Sequence, residues 1–263
     1  MDDRTQYLLT ARPLPLLAKM SAPNSIAFFI QASVSMTEVW FVGQLGSSSL
    51  AAMALVFPLL MLTQTLSAGA LGGAVASAIA RALGAGEPQR AEQLIWHALA
   101  LAVIGALLLL TLFWVFGAAF LHFLGGNNDT LTEALRYCLV LFSGGIFLWF
   151  MGVVSAIYRG MGDMKFPALV MAASALVQVP LSAALVLGAF GAPQRGIVGA
   201  AVSAIVTASL LTGIMTLRLI IGSTTIKIRR SRFGFEPQRF GEILNVALPA
   251  SLSPMLTVTS ILC

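Results

Sequence analysis

Apolar residues along this chain fall into long runs, each closed by a short polar or Gly/Pro-rich stretch. Six runs cover 16–42, 50–80, 94–121, 135–158, 166–190 and 197–221. A seventh begins near 243 and is still apolar at the last residue, Cys263. A helix needs about 20 predominantly apolar residues to cross a hydrocarbon core, so each full run predicts a membrane-spanning helix. The connectors are Gly84-Ala85-Gly86-Glu87-Pro88, Gly125-Gly126-Asn127-Asn128, Gly160-Met161-Gly162-Asp163 and Gly191-Ala192-Pro193, all with turn chemistry. Thr130 and Glu133 carry the spacing of a capping box that would open the fourth helix. The expected fold is all-α, a polytopic membrane bundle of six spanning helices and the start of a seventh. Its divisions are an N-terminal segment (1–15), a six-helix lobe (16–221), a basic linker (222–242) and a further helix (243–263).

Composition agrees. Hydrophobic residues make up 58% of the chain and charged residues 10%, with mean hydropathy +0.92, where a soluble domain carries about 25% charged residues. The net charge of +5 and pI near 9.8 could suggest nucleic acid, but the placement of the charges gives another reason. With a cytoplasmic N-terminus, Arg4, Arg12, Lys19, Arg81, Arg90, Arg159, Lys165, Arg218, Lys227, Arg229, Arg230, Arg232 and Arg239 all fall on the cytoplasmic side. Only Arg136 and Arg195 of the 15 basic residues fall outside. That is the positive-inside pattern of an inner-membrane protein, and no nucleic-acid partner is expected. The Lys227–Arg232 cluster could touch anionic headgroups or stand as a solvated loop. The acidic, proline-punctuated N-terminus does not resemble a cleaved signal.

Few residues can carry chemistry. Nine of the 10 acidic residues sit in loops or at helix ends, and Glu38 alone lies within an apolar helix. A carboxylate there is costly unless paired, protonated or facing water, which marks it as a candidate functional group. Asn24, Gln31, Ser35 and Glu38 are spaced 7, 4 and 3 apart, on one helical face that predicts a cavity-lining stripe. Gln178 and Ser182 share a face of the fifth helix, and Pro180 between them frees a backbone carbonyl. Gly69 and Gly73 form a small-xxx-small pair that predicts close helix packing. Cys138 and Cys263 read as apolar packing residues, and His97 and His122 as isolated. No metal site, phosphate loop or nucleophile–base set emerges, so an enzyme is not expected.

Four stretches, in order, resemble the multidrug and toxic compound extrusion (MATE) family. They are Thr37-Glu38-Val39-Trp40-Phe41-Val42-Gly43-Gln44-Leu45-Gly46 with Leu50-Ala51-Ala52; Ala80-Arg81-Ala82-Leu83-Gly84-Ala85-Gly86; Tyr158-Arg159-Gly160-Met161-Gly162-Asp163-Met164-Lys165-Phe166-Pro167; and Gly196-Ile197-Val198-Gly199-Ala200-Ala201. The resemblance implies twelve helices in two six-helix lobes that export organic cations or amphipathic drugs by H⁺ or Na⁺ antiport, with no cofactor. It implies that Pro23 is a hinge and that Glu38 stands where the pattern usually has Asp. Gln178 and Ser182 replace an N-x-x-x-D pair, and Ala204, with Ser203 adjacent, replaces a Thr. The implied ion-coupling set is therefore Glu38, Gln178, Ser182 and Ser203, and its single titratable group favours H⁺ over Na⁺. The seventh helix falls where an internal repeat would restart: a shift of 226 positions sets Ala22-Pro23-Asn24-Ser25-Ile26 on Leu248-Pro249-Ala250-Ser251-Leu252. The chain is therefore expected to be an N-terminal half that needs a C-terminal lobe. A lipid flippase of the related superfamily or a non-transporting assembly subunit are the alternatives; a flippase would need a more cationic cavity, and a subunit would need no polar stripe.

Overall fold

The computed structural model describes residues 13–221 and 236–262. Every long apolar run is helical: α1 (Pro13–Gly43), α2 (Ser47–Gln64), α3 (Gly72–Gly84), α4 (Pro88–Phe123), α5 (Asn128–Ser143), α6 (Gly145–Gly160), α7 (Lys165–Leu187), α8 (Ile197–Ile221) and α9 (Pro237–Leu262). Five continuous spans are long and apolar enough to cross a membrane, and a sixth comes from the α5–α6 pair, bent by 53°. The predicted all-α membrane bundle is the observed fold. Arg4, Arg12, Lys227, Arg229, Arg230, Arg232 and Cys263, with most of 1–15 and 222–242, lie outside the described residues.

Four local expectations need correction. The second span is not one regular helix: Thr65–Leu71 form a π-helical turn between α2 and α3. The fourth span opens at Asn128 rather than near 135 and breaks at Gly144, where an added Cβ would meet the Ile205 side chain at 2.6 Å. The break lets α8 press into the bend. Asn127, with extended backbone, takes the N-cap position of α5 without a side-chain cap bond, so Thr130 falls inside the helix and forms no capping box. Gly69 and Gly73 face open space, whereas Gly72 meets Ala156 Cβ at 3.3 Å from a virtual Cβ. The π-turn sets the register so that Gly72 faces α6. In addition, α9 begins at Pro237, ahead of the apolar run that starts near 243.

Two apolar cores occupy opposite ends of the bundle. One joins α3, the first turns of α4, α6, the end of α8 and the start of α9 around Ile79, Ile95, Ile157, Tyr158 and Met215. This end carries Arg81, Arg90, Arg159, Lys165, Arg218 and Arg239 and is called here the basic end. The other core joins the end of α1, α2, the end of α4, α5 and the α7–α8 junction around Val42, Val56, Leu121 and Val186. Trp114, Phe116, Leu169 and Leu176 point outward, as lipid-facing side chains do.

The loop at 158–167 staples the basic end. Gly160 sits 2.9 Å (from a virtual Cβ) from the Ala76 carbonyl of α3, so any larger residue would push the helices apart. Gly162 adopts φ 78°, and the Asp163 N–H donates to the Tyr158 carbonyl at 2.9 Å, closing a Schellman turn. Asp163 Oδ1 accepts from the Phe166 N–H at 3.2 Å, and its other oxygen lies 3.8 Å from Arg218 of α8. Arg218 stacks over Phe166, and the buried Tyr158 hydroxyl donates to the Met215 carbonyl at 2.8 Å. One six-residue turn thus ties α6, α7 and α8 together.

Candidate functional site

The stretch Gly196-Ile197-Val198-Gly199-Ala200-Ala201 sets the geometry of the far end. Gly188 ends α7 at φ 75°, the Arg195 N–H returns to donate to the Leu185 carbonyl at 2.8 Å, and Gly196 turns at φ 59° into α8. At Gly199 a virtual Cβ lies 2.5 Å from the Leu185 carbonyl, so the backbones of α7 and α8 touch there. These antiparallel helices then run together. With Gly199 seated on the Leu185–Val186 peptide, Ser182 comes level with Ser203 and Gln178 with Thr207 to within one residue's rise of about 1.5 Å.

Against this pair lies α1. Its buried ridge is Ala27, Val34 and Phe41, spaced by seven. Asn24, Gln31 and Glu38 lie on the shoulder of that ridge, half-buried, while Ser35 is exposed. Of the four predicted stripe residues Ser35 is the most exposed: at about 100° per residue it is rotated furthest from the ridge. Pro23 is half-buried within a continuous helix.

Glu38 and Gln178 meet. The Gln178 amide donates to Glu38 Oε1 at 2.9 Å, linking α1 to α7 across 140 positions of sequence. Gln178 is buried at 8% exposure. Ser182, one turn on, is fully buried, and its hydroxyl has no hydrogen-bond partner among the described residues. Ser203 is also fully buried, but its hydroxyl donates to the Ala200 carbonyl of its own helix at 2.8 Å. Glu38 and Gln178 are thus in contact and Ser182 is adjacent on α7, while Ser203 is turned to its own backbone.

Sequence reasoning missed two neighbours. Thr207 is buried at 2%, and its hydroxyl likewise lacks a partner among the described residues. Its spacing of four from Ser203 was the available signal. Tyr137 of α5 is 5% exposed and close enough to feel the Glu38 charge. Nothing in its local sequence marks it.

A carboxylate offers about four acceptor positions, and Gln178 fills one. The remainder suit a proton, a cation or an amine-bearing guest. No group of three His, Cys, Asp or Glu side chains capable of holding a metal occurs among the described residues.

A family model described as MatE matches residues 23–184. The chain is 27% identical over 258 residues to the FAD transporter of Shewanella oneidensis, covering 97% of this chain and 56% of that protein. It is 26% identical over 249 residues to the probable multidrug resistance protein NorM of Thermotoga maritima, covering 94% and 53%. Among solved structures it is similar to a MOP-superfamily transporter from Pyrococcus furiosus, with TM-score 0.87 and 27% identity over 95% of this chain and 54% of that one. The TM-score is 0.87 against an outward-facing MATE-family transporter and 0.81 against an inward-facing one, at 27% and 26% identity, over 95% and 92% of this chain and 54% and 55% of theirs. The chain spans about half the length of the curated relatives it matches.

Proposed function

We propose, because the chain belongs to the MatE family, that its six-span lobe is one half of a two-lobe antiporter exporting organic cations or amphipathic drugs. Its basic end faces the cytoplasm, as the positive-inside pattern favours, and a C-terminal lobe beginning at α9 completes the cavity. H⁺, or alternatively Na⁺, is the coupling ion. The observation that carries this reading is the Glu38–Gln178 contact, a carboxylate inside a spanning helix bonded to the neighbouring helix.

Charged, Glu38 requires donors or a cation around it; protonated, it can pack among apolar groups. The two states stabilise different arrangements of α1 against α7, and such a differential interaction is what alternating access requires. Pro23 gives α1 a place to bend, and Asn24 and Gln31 line the cavity beside Glu38. Gln178, Ser182 and Ser203 supply oxygens or donors to the ion-coupling site. For Na⁺ those oxygens would have to complete a shell around Glu38, whereas a proton needs the carboxylate alone, which favours H⁺.

The α1 stripe carries an acid and two amides and no basic residue. That suits a cation better than the phosphates of FAD, the substrate named for the Shewanella relative. It also disfavours a flippase for anionic lipid headgroups.

The test is efflux from proteoliposomes of the full-length protein under a proton or Na⁺ gradient, with a cationic dye and with FAD as separate cargoes. Wild type should export the dye. Glu38→Gln should bind dye but lose gradient-driven efflux about tenfold or more, equivalent to at least ~1.4 kcal/mol, and Glu38→Asp should keep part of it. Full efflux by Glu38→Gln would refute the role. Export of FAD alone would move the substrate class to dinucleotides.

A further inference from the structure

At the basic end, α9 does not merely lean on the lobe; a polar network holds it. Helix α4 has 36 residues, about 54 Å at 1.5 Å per residue, well beyond a hydrocarbon core of about 30 Å. Its first turns therefore stand clear of lipid, and the polar first turns of α9 dock on them. Arg90 reaches Glu242 at 2.8 Å and Glu87 at 2.9 Å. Arg239 reaches Glu242 at 2.7 Å and Glu236 at 3.1 Å. Gln93 donates to Glu236 at 2.8 Å and accepts from Arg239 at 3.2 Å.

His97 lies beneath this network, 3% exposed, with its ring edge-on to Phe240 at 4.6 Å. Its Nδ1 is 2.7 Å from the Gln93 carbonyl, and its Nε2 is 3.1 Å from the backbone N–H of Glu236. A carbonyl can only accept, so Nδ1 carries the hydrogen. A backbone N–H can only donate, so Nε2 presents its lone pair. The two partners together fix one neutral tautomer. The Glu236 N–H sits at the N-terminus of α9, so His97 supplies, from another helix, the acceptor that a capping side chain normally provides.

We infer that His97 is a positioning residue of a cytoplasmic latch between the first lobe and the helix that opens the second, closed while the imidazole is neutral and released when it is protonated. The inference rests on the reading that α9 begins a second lobe. A second proton on His97 would set N–H against N–H and leave the Glu236 donor without its acceptor. It would also place a cation at the positive end of the α9 dipole.

The surrounding charges do not replace that lost bond. The carboxylates of Glu236 and Glu242 are engaged by Gln93, Arg90 and Arg239. Glu87 is paired with Arg90, and Glu92 on α4 also has its own partner. From α6, Arg159 is turned to the Ala68 carbonyl, and from the loop after it Asp163 to Phe166 and Arg218; from α3, Arg81 is bonded to Ser77. Burial raises the Glu242 carboxyl, but hydrogen bonds and charge from Arg90 and Arg239 outweigh it and hold the group below its ordinary 4.5. Glu242 therefore stays ionised above its ordinary 4.5. An opening above that pH does not come from Glu242.

The latch is closed in this structure, which resembles an outward-facing relative more than an inward-facing one. Acidifying the cytoplasm, or bringing a proton through to that side, would favour its release.

The test uses the full-length protein with nitroxides at Gln89→Cys and Gln238→Cys, both exposed positions beside the network, in a background without natural cysteines. Dipolar broadening at about pH 8 should show a closed latch, and at about pH 5.5 a separated population at least threefold larger. His97→Gln, which keeps an acceptor near the Nε2 position, should stay closed at both pH values. Glu242→Gln should loosen the latch at both and retain the pH step. An unchanged wild-type spectrum, or an undiminished step in His97→Gln, would overturn the inference. Should His97→Gln misfold, ¹⁵N-histidine NMR of His122→Asn isolates His97, one of two histidines. The Nδ1–H tautomer is expected at the higher pH, and an Nε2–H tautomer would overturn the latch. Neither readout involves transport, so a failure of the efflux reading is distinguishable.

Discussion

Two glycines of α8 offer a matched experiment in which one chemical change should have opposite signs. Replacing Gly199 by Ala places a Cβ 2.5 Å from both the carbonyl carbon and oxygen of Leu185, and 2.9 Å from the Val186 nitrogen, where ordinary contact begins at 3.4 Å. The obstruction is backbone, and the Leu185 carbonyl is already held by the Arg195 N–H at 2.8 Å. It cannot swing aside, so α7 and α8 must separate by about 1 Å. Overpacking of this kind costs about 1–3 kcal/mol. Alanine recovers about 0.8–1 kcal/mol of helix propensity over glycine. With backbone opposing on several atoms, a net loss of about 2 kcal/mol is expected. At Gly213, in the same helix, a virtual Cβ meets nothing within 4 Å and the residue is exposed. Gly213→Ala should therefore gain up to about 1 kcal/mol. Reversible unfolding in mixed detergent–SDS micelles, followed by tryptophan fluorescence, would measure both. The two variants should differ by about 2–3 kcal/mol, with wild type between them. Equal stabilities, or a gain at Gly199, would refute the account of how the Gly196–Ala201 stretch seats α8 and levels Ser182 with Ser203.

Three further outcomes follow from the same structure. Tyr158→Phe removes the donor to the buried Met215 carbonyl and should cost about 0.5–1.5 kcal/mol in the same unfolding assay; no loss would mean the bond is compensated elsewhere. The Glu242 carboxyl is held below 4.5 when docked, so its contribution is fully present above about pH 4.5 and disappears as pH falls through the lowered value. In His97→Gln, spin labels on α4 and α9 should therefore stay close down to about pH 5 and separate only well below it. For orientation, a cysteine at Asn128 should react with an impermeant thiol reagent from outside the cell and one at Glu87 should not; the reverse pattern would overturn the assignment of the basic end to the cytoplasm.

Length and apolarity made the helices legible. The sixth run, 197–221, coincides with α8 because glycine closes one end and Arg218 marks the other. The fourth run hid its break because two glycines carry no charge or polar side chain to interrupt an apolar run, and only Ile205, far along the chain, shows why the helix bends there. The π-turn at Thr65–Leu71 carries no local mark for the same reason. At the candidate site, the spacing of four sets Gln178 and Ser182 on one face of α7, where both are buried, and the cost of a buried charge singled out Glu38 as a candidate. Spacing put Ser35 on the same face, yet it is exposed where Asn24, Gln31 and Glu38 are half-buried, since a polar face only approximates where the neighbouring helix lies. His97 looked isolated because its decisive partner is a backbone N–H 139 positions away, which no side-chain pattern can reveal.

The π-turn in the second span has a consequence for how this chain tolerates insertions and deletions. A π-turn accommodates one residue more than a regular helix would over the same axial distance, so it acts as a phase shift between two amphipathic ridges. Before it, Ser49, Ala52 and Val56 point inward; after it, the inward ridge is Ala74, Val75, Ala78, Ile79 and Ala82. Deleting one residue of 65–71 would let the helix run straight with the two ridges still in phase, whereas winding all seven residues into a regular helix would rotate everything beyond by about 100°. Gly72 would then leave Ala156, and the Ala68 carbonyl would turn from Arg159, which it now meets at 3.4 Å. A single lost codon here should therefore be tolerated better than one elsewhere in a spanning helix, where no surplus residue is available to give up. The chain keeps count in the middle of a transmembrane helix, where indels are usually judged by hydrophobic length alone.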